Sequence, residues 1–320
     1  MLYPIKFKPI YKPKVWGGEK IKNLKSDKKT PDNCGESWEI SALQGDLSVV
    51  ANGFLKDNTI EEIIEVYMGE IVGDEVFDNF GYEFPLLIKI IEAKENLSIQ
   101  VHPNDELAAE RHNARGKSEV WYVLESEKGA KLISGFCKNT NSNEFFNAIE
   151  KEDFENLLNI VETKAGEVYY IPAGRVHSLG EGNLILEVQQ TSDVTYRVYD
   201  YNRKDRELHL DLAKGVIDYS KTENLKINFS KKADSQNKII SNQFFTLNYI
   251  PIMNEIQKNY YNLDSFVVYF CVNGKVQIKT PSNKTETLSK GETILIPAAI
   301  KDVNIVPEIY SEIIEIYIEI

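Results

Sequence analysis

At 320 residues the chain predicts about two domains and is long enough to bury a core without disulfide or metal staples. Its 42% hydrophobic and 27% charged residues are the balance of a soluble globular protein. A net charge of −12 excludes general nucleic-acid and anionic-membrane binding, so an anionic substrate requires a local basic pocket.

The N-terminal stretch MLYPIKFKPIYKPKVWGG is too polar and proline-rich for a signal peptide. It opens a region of short strands and turns that runs on through Glu36-Ser37-Trp38-Glu39-Ile40-Ser41. Over 59–80 apolar side chains recur every three or four positions, which predicts one helix capped by Thr59. From Phe84 the period drops to two. PLLIKIIEA, LSIQVHP, EVWYVLE, AKLISGF, EVYYIPAG, LILEVQQ and VTYRVYDY predict successive β-strands. Helical insertions are predicted at 104–116, with Asp105 as cap, at 143–161 and at 208–219. A polar, Lys- and Asn-rich stretch at 220–242 predicts a linker, after which FFTLNYIPI, FVVYFCV, KVQIKT, ETILIPA and SEIIEIYIEI return to strands. No run reaches the roughly 18 apolar residues of a membrane span. Cys34, Cys137 and Cys271 lack CxxC spacing and predict reduced thiols in a cytoplasmic protein.

The two β-rich halves echo each other. GEVYYIPAG at 166–174 matches GETILIPAA at 291–299, and VWYV at 120–123 matches VVYF at 267–270. This predicts a mainly β fold with short helical insertions, arranged as two jelly-roll barrels at 1–220 and 221–320. In the echo His177 falls on Asp302 and Glu119 on Phe266, so the second barrel is expected to carry no metal ligands.

The first barrel carries the chemistry. Alternation along LSIQVH puts Ser98, Gln100 and His102 on one strand face, opposite Leu97, Ile99 and Val101. Lys117 and Glu119 share a face farther on, and His177 follows the Pro-Ala-Gly turn that ends EVYYIP. Three β elements thus offer imidazole, carboxylate and imidazole to one interior, with the Gln100 amide beside them. Such a set suits Zn²⁺ or another divalent transition metal and leaves a position open, as in a catalytic site. A lone histidine is more often structural than a ligand; the joint pattern carries the metal reading. Arg197 shares a strand face with Thr195 and Tyr199 and, with Lys117, offers fixed positive charge for a phosphate or an oxyanion. A salt bridge to Asp193 or Asp200 is the alternative for Arg197. Arg175, Arg203 and Lys204 are expected at the rim, His112 in solvent and His209 at a helix end.

PLLIKIIEAKENLSIQVHPND, GKSEVWYVL, YYIPAGRVHSLGEG and LEVQQTSDVTYRVYDYNR resemble the type I mannose-6-phosphate isomerases in their short bacterial form. Trp16-Gly17-Gly18 and the Glu36 motif belong to the same resemblance, which covers most of 1–215; the rest matches as a degenerate cupin. The resemblance implies two cupin-type barrels and one Zn²⁺ per chain on Gln100, His102, Glu119 and His177. It implies Arg197 as the active-site arginine, Lys117 in substrate binding or proton transfer, and Ser98 on the phosphate. Arg203 or Lys204 would be the basic residue that follows the arginine. The implied reaction interconverts mannose 6-phosphate and fructose 6-phosphate through a cis-enediol, in a monomeric or homodimeric enzyme. A metal-dependent cupin oxygenase and a non-catalytic sugar-phosphate-binding cupin are the competing classes, marked by iron with O₂ uptake or by lack of turnover.

Overall fold

The computed structural model describes residues 1–281 and 284–320. Strands dominate, as the period-two runs predict, and they form two pairs of facing antiparallel sheets. In the first unit a six-stranded sheet runs Val168–Ile171, Glu119–Ser126, Asn183–Gln190, Leu86–Ala93, Cys34–Ile40, Ile10–Gly18. A five-stranded sheet faces it in the order Tyr196–Tyr199, Ile99–Val101, His177–Leu179, Lys131–Phe136, Leu158–Glu162. Trp121, Tyr169 and Ile185 of the larger sheet meet Leu132 and Leu179 of the smaller in the core between them. The second unit repeats the plan. Its larger sheet runs Asn237–Ser241, Thr246–Ile252, Ser311–Tyr317, Val267–Asn273, Thr293–Ile296. Its smaller sheet runs Ile256–Asn259, Asp302–Pro307, Lys275–Lys279, Thr285–Ser289.

The outer faces of the two larger sheets share a further core, with Ile88, Ile90, Val120 and Tyr122 from one and Leu247, Tyr249, Val268 and Phe270 from the other. Both faces of these strands are therefore dry, which is why PLLIKIIEA and LILEVQQ read as continuous apolar runs. Each aliphatic side chain so buried contributes roughly 1.5–3 kcal/mol. The outer face of the first unit's smaller sheet is covered instead by helix Ser142–Glu150 and the Leu210–Lys214 turn of helix, through Phe145, Ile149 and Ala213.

The helices depart from expectation in instructive ways. The stretch 59–80 is three helices, Ile60–Tyr67, Gly69–Val72 and Asp74–Phe80. Thr59 does cap the first: its hydroxyl accepts from the Glu62 N–H, and the Glu62 carboxylate accepts from the Thr59 N–H at 2.7 Å. The breaks fall at Met68, with φ 45°, and Gly73, with φ 100°. At Gly73 an added Cβ would lie 2.4 Å from the Asp264 carbonyl oxygen, so the turn requires glycine. The next helix is Asp105–His112, and its cap is Asn104, not Asp105. Asp105 instead accepts from the Gly116 N–H at 2.8 Å and the Gln190 amide at 3.0 Å.

Residues 143–161 are not one helix. Helix ends at Glu150, and Leu158–Glu162 is an edge strand on Lys131–Phe136. Pairing there, with the Asn159 amide donating to the Ser134 and Phe136 carbonyls at 3.2 and 2.9 Å, overrides helical apolar spacing. The predicted helix at 208–219 contracts to Leu210–Lys214, and strand Asn237–Ser241 begins inside the predicted linker.

Ladder register refines the internal echo by one residue. Glu119 pairs with Ile171, and Val267 pairs with the equivalent Ile296, so Glu119 corresponds to Val267 rather than Phe266. His177 points inward, as Val303 does, whereas Asp302 is partly exposed. A slip of one residue reverses the face of a strand side chain. The turn before His177 uses Gly174 at φ +84°, a conformation that the echoing Ala299 does not adopt.

Candidate active site and metal centre

Strand alternation delivers the predicted triad to one place. Glu119 opens its strand paired with Ile171 and Gln189, His177 opens its strand paired with Gln100 and Ser134, and His102 directly follows Ile99–Val101. One donor atom from each of His102, Glu119 and His177 lies within 4.8 Å of the others. His102 Nε2 is 3.6 Å from Glu119 Oε2, and His177 Nε2 is 3.4 Å from Glu119 Oε1. All three side chains are buried.

Main-chain carbonyls orient both imidazoles. Nδ1–H donates to the Val194 carbonyl from His102 and to the Arg175 carbonyl from His177, each at 2.9 Å. This leaves the lone pair of each ring on Nε2 and aims it toward Glu119. Burial, reinforced by the Lys117 charge, holds His102 well below the ordinary imidazole range. Burial likewise takes His177 down to about 3, against the bond to the Arg175 carbonyl. Both rings are therefore neutral at physiological pH. Burial next to Glu187 pushes the Glu119 carboxyl up to about 7, although Lys117 opposes the rise. Glu119 Oε1 is buried without a hydrogen-bond partner, an arrangement that is costly unless a cation completes it. Two neutral imidazoles and an uncompensated carboxylate oxygen fit a divalent metal.

Gln100 places its amide nitrogen 3.3 Å from His177 Nε2, and its oxygen accepts from the Ser98 hydroxyl at 3.2 Å. The amide thus borders the triad, and exchange of its two ends would present oxygen. Lys117 is buried, donates to His102 Nε2 at 3.1 Å and forms a short ion pair with Glu119 Oε2.

Gln100 and Lys117 open on a cavity of about 450 Å³ that also takes in Ser98, Arg197 and Arg206, with the buried triad behind them. Arg197 donates through Nη1 to the Glu207 carbonyl at 2.8 Å, while its Nε is buried without a partner. Among the described residues no carboxylate pairs with Arg197, so the alternative reading, a salt bridge to Asp193 or Asp200, does not hold. Asp200 is taken by Arg203 at 3.2 Å and by Arg206, whose Nε donates at 2.8 Å. Arg203 is further held by Glu95 at 2.9 Å and the Asn96 carbonyl at 3.0 Å, and Lys204 is exposed; neither lines the cavity. Arg175 donates to the Tyr170 carbonyl at 2.7 Å. His112, though exposed, bonds the Tyr196 hydroxyl at 2.7 Å, and His209 precedes the Leu210–Lys214 helix.

Several lining residues escape a reading by strand period. Lys89 and Glu187 pair at 2.6 Å inside the cavity, and Trp121 Nε1 donates to Glu187 at 2.8 Å. Burial opposes the Glu187 charge, yet Lys89 and Lys117 overcome it and hold the carboxyl at about 2. Each sits in an apolar run, where the expected alternation is hidden. Arg206 lies in an irregular stretch with no period at all, and Lys12, Lys14 and Trp38 reach the cavity from the far end of the larger sheet.

A family model described as the catalytic domain of type I phosphomannose isomerase matches residues 5–134. Mannose-6-phosphate isomerase ManA of Bacillus subtilis is 41% identical over 224 residues, 67% of this chain and 68% of the relative. The chain belongs to the mannose-6-phosphate isomerase family. Within the mannose-6-phosphate isomerases, the Streptococcus mutans protein is 32% identical over 295 residues, 90% of each chain. The crystal structure of the Bacillus subtilis mannose 6-phosphate isomerase superposes with a TM-score of 0.89 at 32% identity, covering 99% of this chain and 100% of that one. A variant of the Salmonella typhimurium phosphomannose isomerase shares the fold at a TM-score of 0.84 with 17% identity. Membership selects the aldose–ketose isomerase from the three expected classes. No helix among the described residues is long and apolar enough to cross a membrane.

Proposed function

We propose that this isomerase interconverts mannose 6-phosphate and fructose 6-phosphate through a cis-enediol, with one Zn²⁺ per chain on Gln100, His102, Glu119 and His177. The observation that carries the reading is the inward convergence of two neutral imidazoles on a buried carboxylate oxygen that lacks any protein partner. A Zn²⁺ held by these residues would supply Lewis acidity to the reaction.

The reaction moves a proton between C2 and C1 and develops negative charge on the two oxygens. Arg197, anchored through Glu207 and with Nε unpaired, supplies positive charge where that oxyanion forms. Lys117 Nζ, within reach of His102 and Glu119, carries the proton. Ser98 binds the phosphate, and among the basic residues after Arg197 we assign the phosphate to Arg206, which lines the cavity. Arg203 and Lys204 would serve from the rim, Arg203 after exchanging its contacts to Glu95 and Asp200. Three free cysteines fit a cytoplasmic enzyme.

A coupled assay for fructose 6-phosphate, run with metal analysis, tests the reading. Chelator is expected to abolish turnover and Zn²⁺ to restore it. Arg197→Ala should lower turnover by about a hundredfold or more while zinc stays bound; loss of the metal as well would remove the role given to Arg197. Stoichiometric iron with O₂ uptake would overturn the isomerase mechanism.

A further inference from the structure

We propose that the cleft between the two β units is a second ligand site, built for a phosphorylated, hydroxyl-bearing small molecule and separate from the metal centre. The cleft has a volume of about 420 Å³, ordinary for a small-molecule pocket, and takes in Tyr122, Tyr249, Phe270, Lys231, Lys290 and Glu312. Tyr122 is only 3% exposed, yet among the described residues its hydroxyl has no hydrogen-bond partner. That hydroxyl is reached by the solvent of the cleft and is open to a ligand.

Lys231 supplies the charge. Its Nζ lies 5.3 Å from the Phe229 ring centroid and 5.7 Å from that of Tyr249, and it donates to the Gly166 carbonyl at 3.3 Å. Among the described residues no carboxylate pairs with it. A cation framed by aromatic rings and lacking a counter-ion suits a phosphate. Gly166 brings the cation and the hydroxyl together: a Cβ there would lie 2.8 Å from Lys231 Nζ and 3.8 Å from the Tyr122 oxygen. Across the cleft, Glu312 accepts from the Tyr310 hydroxyl at 2.9 Å and has no ion pair among the described residues, so it keeps lone pairs for ligand hydroxyls. The Tyr122 and Tyr249 rings, 6.3 Å apart and within 16° of parallel, stack on each other and close the floor of the cleft.

The position matters for catalysis. Along Glu119–Ser126, Glu119 and Trp121 face the metal centre and Val120 and Tyr122 face the other way. An occupant of the cleft therefore presses on the ligand-bearing strand from behind.

Isothermal titration of the full-length, zinc-loaded enzyme tests this, with fructose 6-phosphate, adenosine 5′-monophosphate and inorganic phosphate as probes. The expected result is binding at the cleft by one of the two organic phosphates: a second equivalent per chain for the sugar phosphate, or a single equivalent for the nucleotide that fructose 6-phosphate does not displace. Which of them binds identifies the source of the ligand. In a Tyr122→Phe/Lys231→Ala variant that binding should weaken by about tenfold or more, with isomerase activity in the absence of the probe retained. The site is ruled out if neither organic phosphate binds beyond the active site, if inorganic phosphate alone does, or if the double substitution leaves binding unaltered. Absence of turnover would count against the catalytic reading and leaves this stoichiometry intact.

Discussion

The two β units bury a carboxylate on the same rung, pair each with a lysine, and part ways at a neighbouring position. In the first, Glu187 sits opposite Lys89 and Trp121; in the second, Glu315 sits opposite Asn248 and Tyr269. Glu315 is saturated from all sides, accepting from Tyr260 at 2.5 Å and Asn248 at 2.9 Å and pairing with Lys258 at 2.8 Å. Where the first unit has Glu119, the second has Val267. One interior is a closed network whose cation is covalently part of the chain. The other neutralises Glu187 with Lys89 but leaves Glu119 Oε1 without a hydrogen-bond partner beside two imidazoles. The lesson is that the same sheet pair is structural when its buried charges are all satisfied internally and chemically competent when one is not.

His177→Ala should break the comparison most severely. Zinc per chain is expected to fall to background by metal analysis, with activity reduced by more than about a hundredfold; retained stoichiometric zinc would show that the triad is not the metal site. In the second unit, Lys258→Met strands the Glu315 charge and should cost about 3–5 kcal/mol in denaturant unfolding, with activity per folded molecule unchanged. A cost near zero would mean that the Tyr260 and Asn248 bonds alone carry Glu315.

Zinc affinity offers a finer test, because the site's protonation is uneven. His102 and His177 are already neutral across the physiological range, whereas Glu119, at about 7, must lose a proton to bind metal. Affinity should therefore fall as pH drops below about 7, by about tenfold per pH unit, one proton's worth. Competition with a chromophoric chelator from neutral pH down measures the slope, and a slope of two or more would show that the histidines titrate as well. The smallest effect is expected at Thr59→Ala, remote from both interiors, which removes the capping box on Ile60–Tyr67 for about 1 kcal/mol in thermal or denaturant unfolding. Any loss of activity there would reveal coupling that the separation of the regions does not predict.

Much of this was legible in advance where local rules govern. Strand alternation alone puts Gln100 and His102 on one face and Lys117 with Glu119 on another. The Thr59 cap is written in the Glu three residues later. Legibility failed where tertiary contact outvotes local pattern. Leu158–Glu162 follows helical spacing yet pairs as an edge strand, and Asn104 displaces Asp105 as cap because Asp105 is drawn to Gln190 and Gly116. Lys89 and Glu187 hide in runs that are buried on both faces, so neither period nor composition marks them as lining a cavity.

By itself the chain order determined which side chains alternate, where turns demand glycine, and which residue types are available to bind a metal, because these depend on bonds and neighbours a few residues away. The tertiary structure alone decided that His102, Glu119 and His177 share one volume, that carbonyls of Val194 and Arg175 fix the histidine tautomers, and that Asp200 goes to Arg203 and Arg206 and leaves Arg197 without a carboxylate partner among the described residues. Charge pairing and desolvation depend on distance in space, and residues far apart in sequence acquire those distances when the sheets close on each other.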